Sequence, residues 1–423
     1  MHVSYLLSWP QLSWLYLAYF FAGLAICGVV YQFLVIAGIS KFLRLLRLEA
    51  ESNGGLRGRD DAAPPISILK PLRGADARMY ECFRSHCLQD YPEFEILFGV
   101  AEPGDPAVAE VERLQREFPS QAIHLVVCPE VLGMNRKVST LVQLLPRARY
   151  DLLLINDSDI LVPPDYLRKI ARSFRPRTAS DPDGKITAGL TGMVTALYRA
   201  AANSNRAAAG SSGRTLASRL EALTIATDFA GGVLSAYALE SKLSFGLGST
   251  LAVRREALEA IGGLRPLLDC LADDYELGRR VASAGFDVVL APLVVETALP
   301  AARFEDMFRH QLRWARTIRD RRPLGYVGFG ITHVVSWALL ACLCSGLSDW
   351  SLGLLAVSGF LRFAVAATLC TSVLRDRAAD LDLWLLPLRD VFAMLLWITS
   401  FAGTTVEWRG ERFRLRAGKL EKL

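Results

Sequence analysis

At 423 residues, the chain is long enough for more than one domain. Its 52% hydrophobic and 22% charged residues, with a mean hydropathy of +0.27, exclude both an ordinary soluble protein and a chain buried entirely in lipid. The basic residues behind the net charge of +5 cluster beside apolar segments, which favours an anionic membrane surface over nucleic acid as their partner.

Residues 1–50 are predicted to form a membrane anchor. Nearly every residue in 14–38 is apolar, and about 20 such residues span a bilayer. The segment lacks a basic leader and a convincing cleavage site, which favours a retained helix over a removable signal peptide. Lys41, Arg44 and Arg47 follow directly, so the positive-inside tendency predicts an external amino terminus and a cytoplasmic next domain.

Residues 51–64 are predicted to be a linker because they are rich in glycine and charge. Residues 65–300 then alternate short apolar runs with amphipathic stretches, a pattern that predicts an α/β domain with a mostly parallel sheet covered by helices. The predicted strands are 66–69, 95–100, 124–127, 152–155 and 288–290, and the predicted helices are 76–88, 106–118, 137–145, 165–174 and 274–284.

Two other segments of this domain have a different composition. Residues 199–214, rich in Ala, Ser, Asn and Gly, are predicted to be a mobile loop. Residues 216–239 mix apolar and polar side chains, which suits a helix at a membrane surface or under a pocket.

The eight cysteines predict neither a disulfide framework nor a zinc site. Cys82, His86 and Cys87 come nearest to a metal cluster, but no second pair stands at a zinc spacing. We therefore expect buried thiols in a reducing compartment.

An acidic turn follows the predicted strand 152–155. In open α/β sheets, ligands bind just beyond the carboxyl ends of strands, and Asp157 and Asp159 stand at such an end. Two carboxylates one residue apart can hold a hard divalent cation, which in turn can neutralise a diphosphate. A solvated acidic turn is the alternative, because such tripeptides are common.

The remainder of the chain is predicted to return to the membrane. Residues 301–325 place aromatic side chains among many arginines, the composition of an interfacial amphipathic helix. Residues 326–403 contain three apolar stretches, 331–347, 352–373 and 383–403.

The last of these stretches carries Arg389 and Asp390 in its middle, so it either pairs these charges or is re-entrant. The basic tail 404–423 favours a cytoplasmic carboxyl terminus, whereas a plain count of four spans puts it outside. Both placements stay open.

Five motifs stand in a specific order along the chain. They are KPLRG at 70–74, GVAEPGDP at 99–106, NDSDI at 156–160, ADDYELG at 272–278 and HQLRW at 310–314. Together they resemble the family 2 type of membrane glycosyltransferases. More narrowly, the chain resembles ceramide glucosyltransferases and the hopanoid glycosyltransferases of the HpnI type, through GMNRKVSTL at 133–141, GSTLAVRREALEAIGG at 248–263 and WRGERFRLRAG at 408–418.

The resemblance implies a fold and a donor site. The fold is GT-A, a Rossmann-like domain with a mostly parallel sheet, here with transmembrane helices at both ends. Glu102 and Asp105 match the family's first acidic site, which would hold the uridine of the donor. Asn135 and Lys137 would meet its phosphate oxygens, although Lys137 could equally be a solvated surface residue.

The resemblance also implies a metal site and a catalytic base. Asp157 and Asp159 would hold Mg²⁺ or Mn²⁺ at the donor diphosphate, with Asp157 the stronger candidate. Asp274 would be the base that removes the proton of the acceptor hydroxyl, and only one of the adjacent Asp273 and Asp274 can face the sugar. The alternative for Asp274 is an N-cap of the helix 274–284.

HQLRW departs from the family pattern at its first position, which is His310. Arg313 and Trp314 match, and the resemblance places the arginine at the leaving diphosphate and the tryptophan near the acceptor. His310 could donate to the same oxygens if it is protonated.

The expected activity is inverting transfer of a sugar from a UDP-sugar to a primary hydroxyl of a membrane lipid, with no nucleic-acid partner. Ceramide receiving glucose and a hopanoid polyol receiving N-acetylglucosamine both fit the motifs. A processive synthase would need more spanning helices, and a non-enzymatic scaffold is disfavoured because every acidic site is present.

Overall fold

The computed structural model describes residues 9–55, 63–76, 78–174, 189–201, 214–240, 242–299, 303–408 and 411–423. It divides into two compact units. The sheet unit contains Phe42–Ser218, Glu240–Ala302 and Thr405–Leu423, and the membrane unit contains Met1–Lys41, Arg219–Leu239 and Arg303–Thr404. Most of the predicted mobile loop, residues 202–213, lies outside the described residues.

The sheet unit is built on an eight-stranded mixed sheet in the order β3-β2-β1-β4-β7-β6-β8-β5. Its strands are β1 Ile66–Pro71, β2 Phe94–Val100, β3 Ala122–Val127, β4 Leu152–Ile155, β5 Ile160–Leu161, β6 Thr191–Ala200, β7 Leu251–Arg254 and β8 Asp287–Thr297. The pairs β1–β2, β2–β3, β1–β4 and β6–β8 are parallel, and β4–β7, β6–β7 and β5–β8 are antiparallel. The predicted mostly parallel sheet is confirmed.

Helices cover the sheet, which explains why its central strands are almost entirely apolar. They are α2 Met79–Cys87, α3 Ala107–Glu117, α4 Arg136–Leu144, α5 Tyr166–Ser173, α8 Arg255–Ala260 and α9 Asp273–Ser283, with short 3₁₀ turns at Leu145–Arg147 and Arg265–Leu267. Ile66, Ile68, Phe83, Phe98 and Leu154 are buried in one continuous core between them.

Three of the motifs follow strands that run parallel and side by side. Ile66 of β1 pairs with Phe94 of β2 and with Leu152 of β4, so the carboxyl ends of β1, β2 and β4 lie at one edge of the sheet. KPLRG, GVAEPGDP and NDSDI follow these three strands. The fold therefore gathers them where open α/β sheets bind ligands.

A small antiparallel sheet completes the sheet unit. Its strands are β9 Thr405–Trp408, β10 Glu411–Arg416 and β11 Lys419–Lys422. In β10 the apolar Phe413 and Leu415 are buried and alternate with exposed arginines, the period-2 pattern of a strand with one covered face. The basic tail expected from sequence is thus a folded sheet.

The membrane unit contains long apolar helices. Its elements are α1 Trp9–Gly55, whose residues from Phe42 onward belong to the sheet unit, α6 Leu216–Leu223, α7 Ala230–Leu239, α10 Phe304–Arg321, α11 Pro323–Phe329, α12 Val334–Cys344, α13 Asp349–Thr368, α14 Arg377–Leu381 and α15 Leu386–Ser400. A π-helical turn, Thr224–Phe229, joins α6 to α7, another at Leu369–Val373 follows α13, and 3₁₀ turns lie at Gly330–Thr332 and Leu383–Leu385.

Four helices among the described residues are long and apolar enough to cross a membrane, namely Ser13–Glu51, Leu216–Leu239, Asp349–Val373 and Leu383–Ser400. Pro323–Thr332 and Val334–Cys344 could form a fifth span, but they are bent by 65°. The predicted apolar stretch 331–347 contains α12, and the break at His333 lies near its start. The predicted linker 51–64 begins as helix, since α1 continues to Gly55, and residues 56–62 lie outside the described part.

The charges near the start of α15 are paired. Asp390 accepts hydrogen bonds from Arg362 of α13 (2.9 and 3.1 Å) and from Arg389 (3.1 Å). Asp228, in the π-helical turn after α6, binds Arg362 at 2.7 Å and also Arg389. Two arginines and two aspartates thus neutralise each other inside the membrane unit, which makes these charges tolerable there.

Candidate active site

A lysine and two aspartates from three motifs form the centre of the site. Asp157 follows β4, and its Oδ1 lies 2.8 Å from Nζ of Lys137 in the first turn of α4. The same Nζ lies 3.1 Å from Oδ2 of Asp273, the first residue of α9. Lys137 is therefore not a solvated surface residue, because its ammonium group bridges two acids that are 116 positions apart in the chain.

Asp274 faces the same space as Asp157. The position that a Cβ on Gly248 would occupy lies 3.2 Å from Oδ2 of Asp157 and 3.2 Å from Oδ2 of Asp274. Any side chain at position 248 would therefore crowd both carboxylates. Glycine leaves a small gap lined by the oxygens of two acids, at the carboxyl edge of the sheet.

The helix α9 begins one residue earlier than predicted. Ala272 is the N-cap, and Asp273 and Asp274 lie in the first turn, so the alternative reading of Asp274 as the N-cap is wrong. Oδ1 of Asp274 accepts a hydrogen bond of 2.7 Å from the backbone N–H of Tyr275. The first turn of a helix favours negative charge, which allows two adjacent acids here.

The acids and the lysine shift one another's pKa. Burial raises the pKa of Asp274 to about 6, Asp273 adds to this effect, and Lys137 opposes it. Burial alone would lower the pKa of Lys137, but the charges of Asp157 and Asp273 outweigh it and raise that pKa. Lys137 is therefore a permanent cation at neutral pH, and Asp274 is an acid whose affinity for a proton is unusually high.

Asp159 is oriented by the end of β8. Its Oδ2 accepts a hydrogen bond of 2.7 Å from the hydroxyl of Thr297, and burial raises its pKa to about 6, with the neighbouring Asp157 contributing. Between the two acids, the hydroxyl of Ser158 donates to Asp76 at 2.5 Å. The acidic turn is thus held by hydrogen bonds to two other segments, although the Asp157 side chain is 40% exposed.

A fully buried lysine lies beneath the acidic turn. Lys70 is the last residue but one of β1 and the first of the KPLRG motif, and its Nζ donates to the backbone carbonyl of Asp157 at 3.2 Å. Burial lowers the pKa of Lys70 to about 8, while Cys82 and Asp157 raise it. Sequence analysis gave Lys70 no role, although its position in a motif marked it.

The two members of the first acidic site differ in their surroundings. Asp105 is buried, and its carboxylate accepts hydrogen bonds from the backbone N–H groups of Gly74 (3.0 Å) and Ala107 (2.9 Å). It therefore ties the loop after β1 to the loop after β2. Glu102 is exposed in the same loop.

Both the oxygen and the nitrogen of the Asn135 side chain form hydrogen bonds within the protein. Its Oδ1 caps α4 by accepting from the N–H of Val138 at 3.1 Å, and its Nδ2 donates to the carbonyl of Cys270 at 2.8 Å. The side chain is fully buried. A direct contact with a bound donor would require Asn135 to give up these bonds, and its contact with the phosphate oxygens stays a prediction.

The residues of HQLRW lie on α10 in the membrane unit. Nδ1 of His310 is 2.6 Å from Oε1 of Glu221, and its ring packs edge-on against Trp314 at 4.7 Å. Trp314 also contacts Phe229, with 6.3 Å between ring centroids. These contacts fasten α10 to the helical segment 216–239.

The carboxylate oxygens of this site suit a hard divalent cation that is also coordinated by phosphate oxygens of a substrate. The Asp157 carboxylate lines the gap at Gly248, and carboxylate oxygens are the ligands that Mg²⁺ and Mn²⁺ prefer. No group of three His, Cys, Asp or Glu side chains that could hold a metal ion occurs in the described part of the chain. Mg²⁺ is commonly bound by one or two carboxylates together with substrate phosphates, so this site suits a metal–diphosphate complex.

A family model for glycosyl transferase family 21 matches residues 24–421. The chain belongs to this family. The match covers both units, so the sheet and the membrane helices are parts of one family architecture. The mixed sheet with its acidic turn after β4 is the GT-A fold of this glycosyltransferase, as the motifs predicted.

Similar proteins of known name were found by sequence and by structure. Ceramide glucosyltransferase 3 of Caenorhabditis elegans is 23% identical over 386 residues, which cover 85% of this chain and 74% of the relative. Ceramide glucosyltransferase of Komagataella phaffii is 34% identical over 101 residues, 23% of this chain and 20% of the relative. A mannosyltransferase from Pyrobaculum calidifontis, solved with GDP-Man and Mn²⁺, has a TM-score of 0.46 at 18% identity and covers 90% of this chain and 98% of its own.

Proposed function

We propose that this family 21 glycosyltransferase transfers glucose from UDP-glucose to the primary hydroxyl of ceramide, with inversion at the anomeric carbon. The observation that carries the proposal is the joint placement of Asp157, Lys137 and Asp274 at one edge of the sheet. The sequence relatives support the acceptor, because the ones described above are named ceramide glucosyltransferases.

Donor binding is assigned to the edge formed by β1, β2 and β4. We assign the uridine to the loop that contains Glu102 and Asp105, and the diphosphate to Lys137, whose charge is buried and permanent. Asp157 would hold Mg²⁺ or Mn²⁺, with Asp159 stabilising the turn that presents it. The bound metal supplies positive charge that stabilises the leaving diphosphate.

Asp274 is assigned as the catalytic base. Its carboxylate takes the proton of the acceptor hydroxyl, while the hydroxyl oxygen forms a bond to the anomeric carbon. The bond between that carbon and the diphosphate oxygen breaks, and its electron pair leaves with UDP. Attack from the face opposite the diphosphate gives a β-glucoside from the α-linked donor. Asp273 raises the pKa of this acid further and the nearby Lys137 lowers it, so the two neighbours have opposite effects on its affinity for a proton.

Two assignments rest on the sequence motifs alone. The roles of His310, Arg313 and Trp314 in donor binding remain predictions from HQLRW. The cytoplasmic location of the sheet unit is a proposal from the basic residues Lys41 and Arg44 after the anchor.

The substrate test uses the full chain purified into lipid nanodiscs. Labelled UDP-glucose and UDP-N-acetylglucosamine are each supplied with ceramide or with bacteriohopanetetrol, with Mg²⁺ or Mn²⁺ present. We expect labelled glucosylceramide, and the coupling constant of its anomeric proton should report a β linkage. Label in the hopanoid arm alone, or an α-linked product, contradicts the proposal.

A matched pair of variants tests the base. Asp274→Asn keeps the shape of the side chain but cannot take the proton, so kcat should fall by about 10² to 10⁴ while UDP binding is kept. Asp151→Asn, on an acid that is 95% exposed before β4, is the control and should keep full activity. Undiminished transfer by Asp274→Asn would rule out its role as the base.

A further inference from the structure

The C-terminal sheet, formed by β9, β10 and β11, contacts the residues that lead directly into Asp273 and Asp274. Val406, Phe413, Leu415 and Leu420 of this sheet are buried in one apolar cluster, and the remaining buried member of the cluster is Leu271. Leu271 stands two residues before Asp273. The motif at 408–418, which the proposed chemistry leaves without a role, thus belongs to a sheet that packs beside the site.

Backbone hydrogen bonds join the two parts as well. The N–H of Leu420 in β11 donates to the carbonyl of Asp269 at 2.8 Å, and Lys419 forms an isolated antiparallel bridge with Cys270. β11 therefore extends its pairing onto the chain just before α9. Segment 268–271, as we call Leu268 to Leu271, is held on this side by a strand and by an apolar cluster.

The loop before Lys137 holds segment 268–271 from another side. The N–H of Asn135 donates to the carbonyl of Leu268 at 2.7 Å, and the Asn135 side chain donates to the carbonyl of Cys270 at 2.8 Å. The approach is so close that a Cβ on Gly133 would lie 2.7 Å from the oxygen of Leu268. Segment 268–271 therefore sits between the C-terminal sheet and the loop that begins α4.

We propose that the C-terminal sheet is a positioning element of the active site, which fixes segment 268–271 and thereby the place of Asp274 opposite Asp157. Leu271 and Leu420 are the positioning residues of this contact. The inference rests on the proposed function, since it assigns Asp274 to the reacting hydroxyl. Neither leucine touches the substrates; both act through the start of α9.

The physical reason is the accuracy that proton transfer requires. A base must lie within hydrogen-bond distance of the proton it removes, and a displacement of about 1 Å can cost about 10²-fold in rate. Asp274 is only three positions after Leu271, so a shift of the segment reaches the carboxylate directly. Lys137 stands on α4, which packs against β1 and β2, so the diphosphate site has a support from the main sheet in addition to its contacts with segment 268–271.

The first experiment separates turnover from donor binding in the full chain in nanodiscs. Leu271→Ala and Leu420→Ala should each lower kcat for glucosylceramide formation by about tenfold or more, with the Kd for UDP changed by less than about twofold. Because both leucines act in one contact, the double variant should lose little more than the worse single variant. Leu271→Met, which conserves volume, should restore turnover.

Val406→Ala is the matched control. It removes methyl groups from the same cluster, but on β9, the edge strand that is farthest from β11. We expect it to lower stability without lowering kcat per folded molecule. Equal losses of kcat in Val406→Ala and Leu271→Ala would reduce the sheet to a stabilising role and overturn the proposal.

Hydrogen exchange gives a second readout that does not depend on the substrates. In Leu271→Ala and Leu420→Ala, amides of residues 268–276 should exchange faster than in the native chain, while those of β1 and β4 should not change. Unchanged exchange at 268–276 overturns the inference even if the enzyme proves to use other substrates. A failure of the proposed function would instead appear as absence of glucosylceramide from the native chain with the exchange result intact.

Discussion

Single residues in this site act in pairs that local sequence does not reveal. Lys70 is the clearest case. Its side chain is fully buried, and its ammonium group donates a hydrogen bond to the backbone carbonyl of Asp157 in the acidic turn. A buried charge is costly, and it is usually kept where it orients something. We infer that Lys70 fixes the backbone at Asp157, so that the carboxylate points towards Lys137.

Replacing Lys70 by methionine tests this role. Lys70→Met keeps the length of the side chain but removes the charge and the donor to Asp157, so kcat should fall by about tenfold or more. The free energy of unfolding should be unchanged or higher, since an apolar side chain replaces a buried charge. Steady-state kinetics and thermal unfolding measure the two effects.

Lys169→Met is the control, because Lys169 forms a helical ion pair with Asp165 that is partly exposed. It should change neither quantity measurably. If Lys70→Met instead retains full turnover, the lysine has no part in orienting the acidic turn.

At the scale of helices and strands, the periodicity of apolar residues predicted many elements, whereas contacts between distant parts of the chain could not be predicted from it. Strands β1 to β4 and helices α2 to α5 were predicted because each is a short apolar run or an amphipathic stretch. β5, β6 and β7 were not predicted. The same holds for the site. Asp157 and Asp274 were recognised from their sequence motifs. The ion pair of Lys137 with Asp273 and the hydrogen bond of Asn135 to Cys270 join distant parts of the chain and form only on folding.

The four charges that join the helices of the membrane unit give a prediction at this scale. Arg362 bridges Asp228 and Asp390, and its side chain is only 6% exposed. Arg362→Met leaves two buried aspartates with Arg389 alone, which should lower the free energy of unfolding by about 3–5 kcal/mol. Thermal unfolding in nanodiscs measures the loss.

A compensating variant shows whether charge balance is the cause. Arg362→Met combined with Asp390→Asn leaves one arginine with one aspartate, so stability should recover in large part. Arg377→Met, on an exposed arginine, should have almost no effect. A double variant as unstable as Arg362→Met would mean that packing, and not charge, accounts for the loss.

At the scale of the whole molecule, each unit is assembled from three separate stretches of chain. Hydropathy identifies apolar stretches but does not show which other segments they pack against. For this reason, residues 219–239 could not be grouped with the membrane helices from sequence. The same holds for the tail, whose arginines resemble a surface anchor until β10 shows that they alternate with buried Phe413 and Leu415.

The location of the sheet unit can be tested by labelling exposed cysteines. Glu112→Cys on α3 and Glu421→Cys on β11 lie at exposed positions of the same unit. We expect a membrane-impermeant maleimide to label both in inverted vesicles and neither in intact cells, with the unmodified chain as the background control. Labelling in intact cells contradicts the cytoplasmic proposal, and opposite results for the two positions contradict the docking of the tail.

Because the folded tail belongs to the sheet unit, it constrains the number of times that the preceding helices cross the membrane. The chain leaves the sheet unit at Ala302 and rejoins it at Thr405, and we propose that this whole unit lies on one side of the bilayer. The polypeptide between them must therefore traverse the lipid an even number of times. Asp349–Val373 has the length and hydropathy of a crossing, so we expect one of its two neighbours, the kinked Pro323–Cys344 or Leu383–Ser400, to return the chain and the other to stay on the side where it entered.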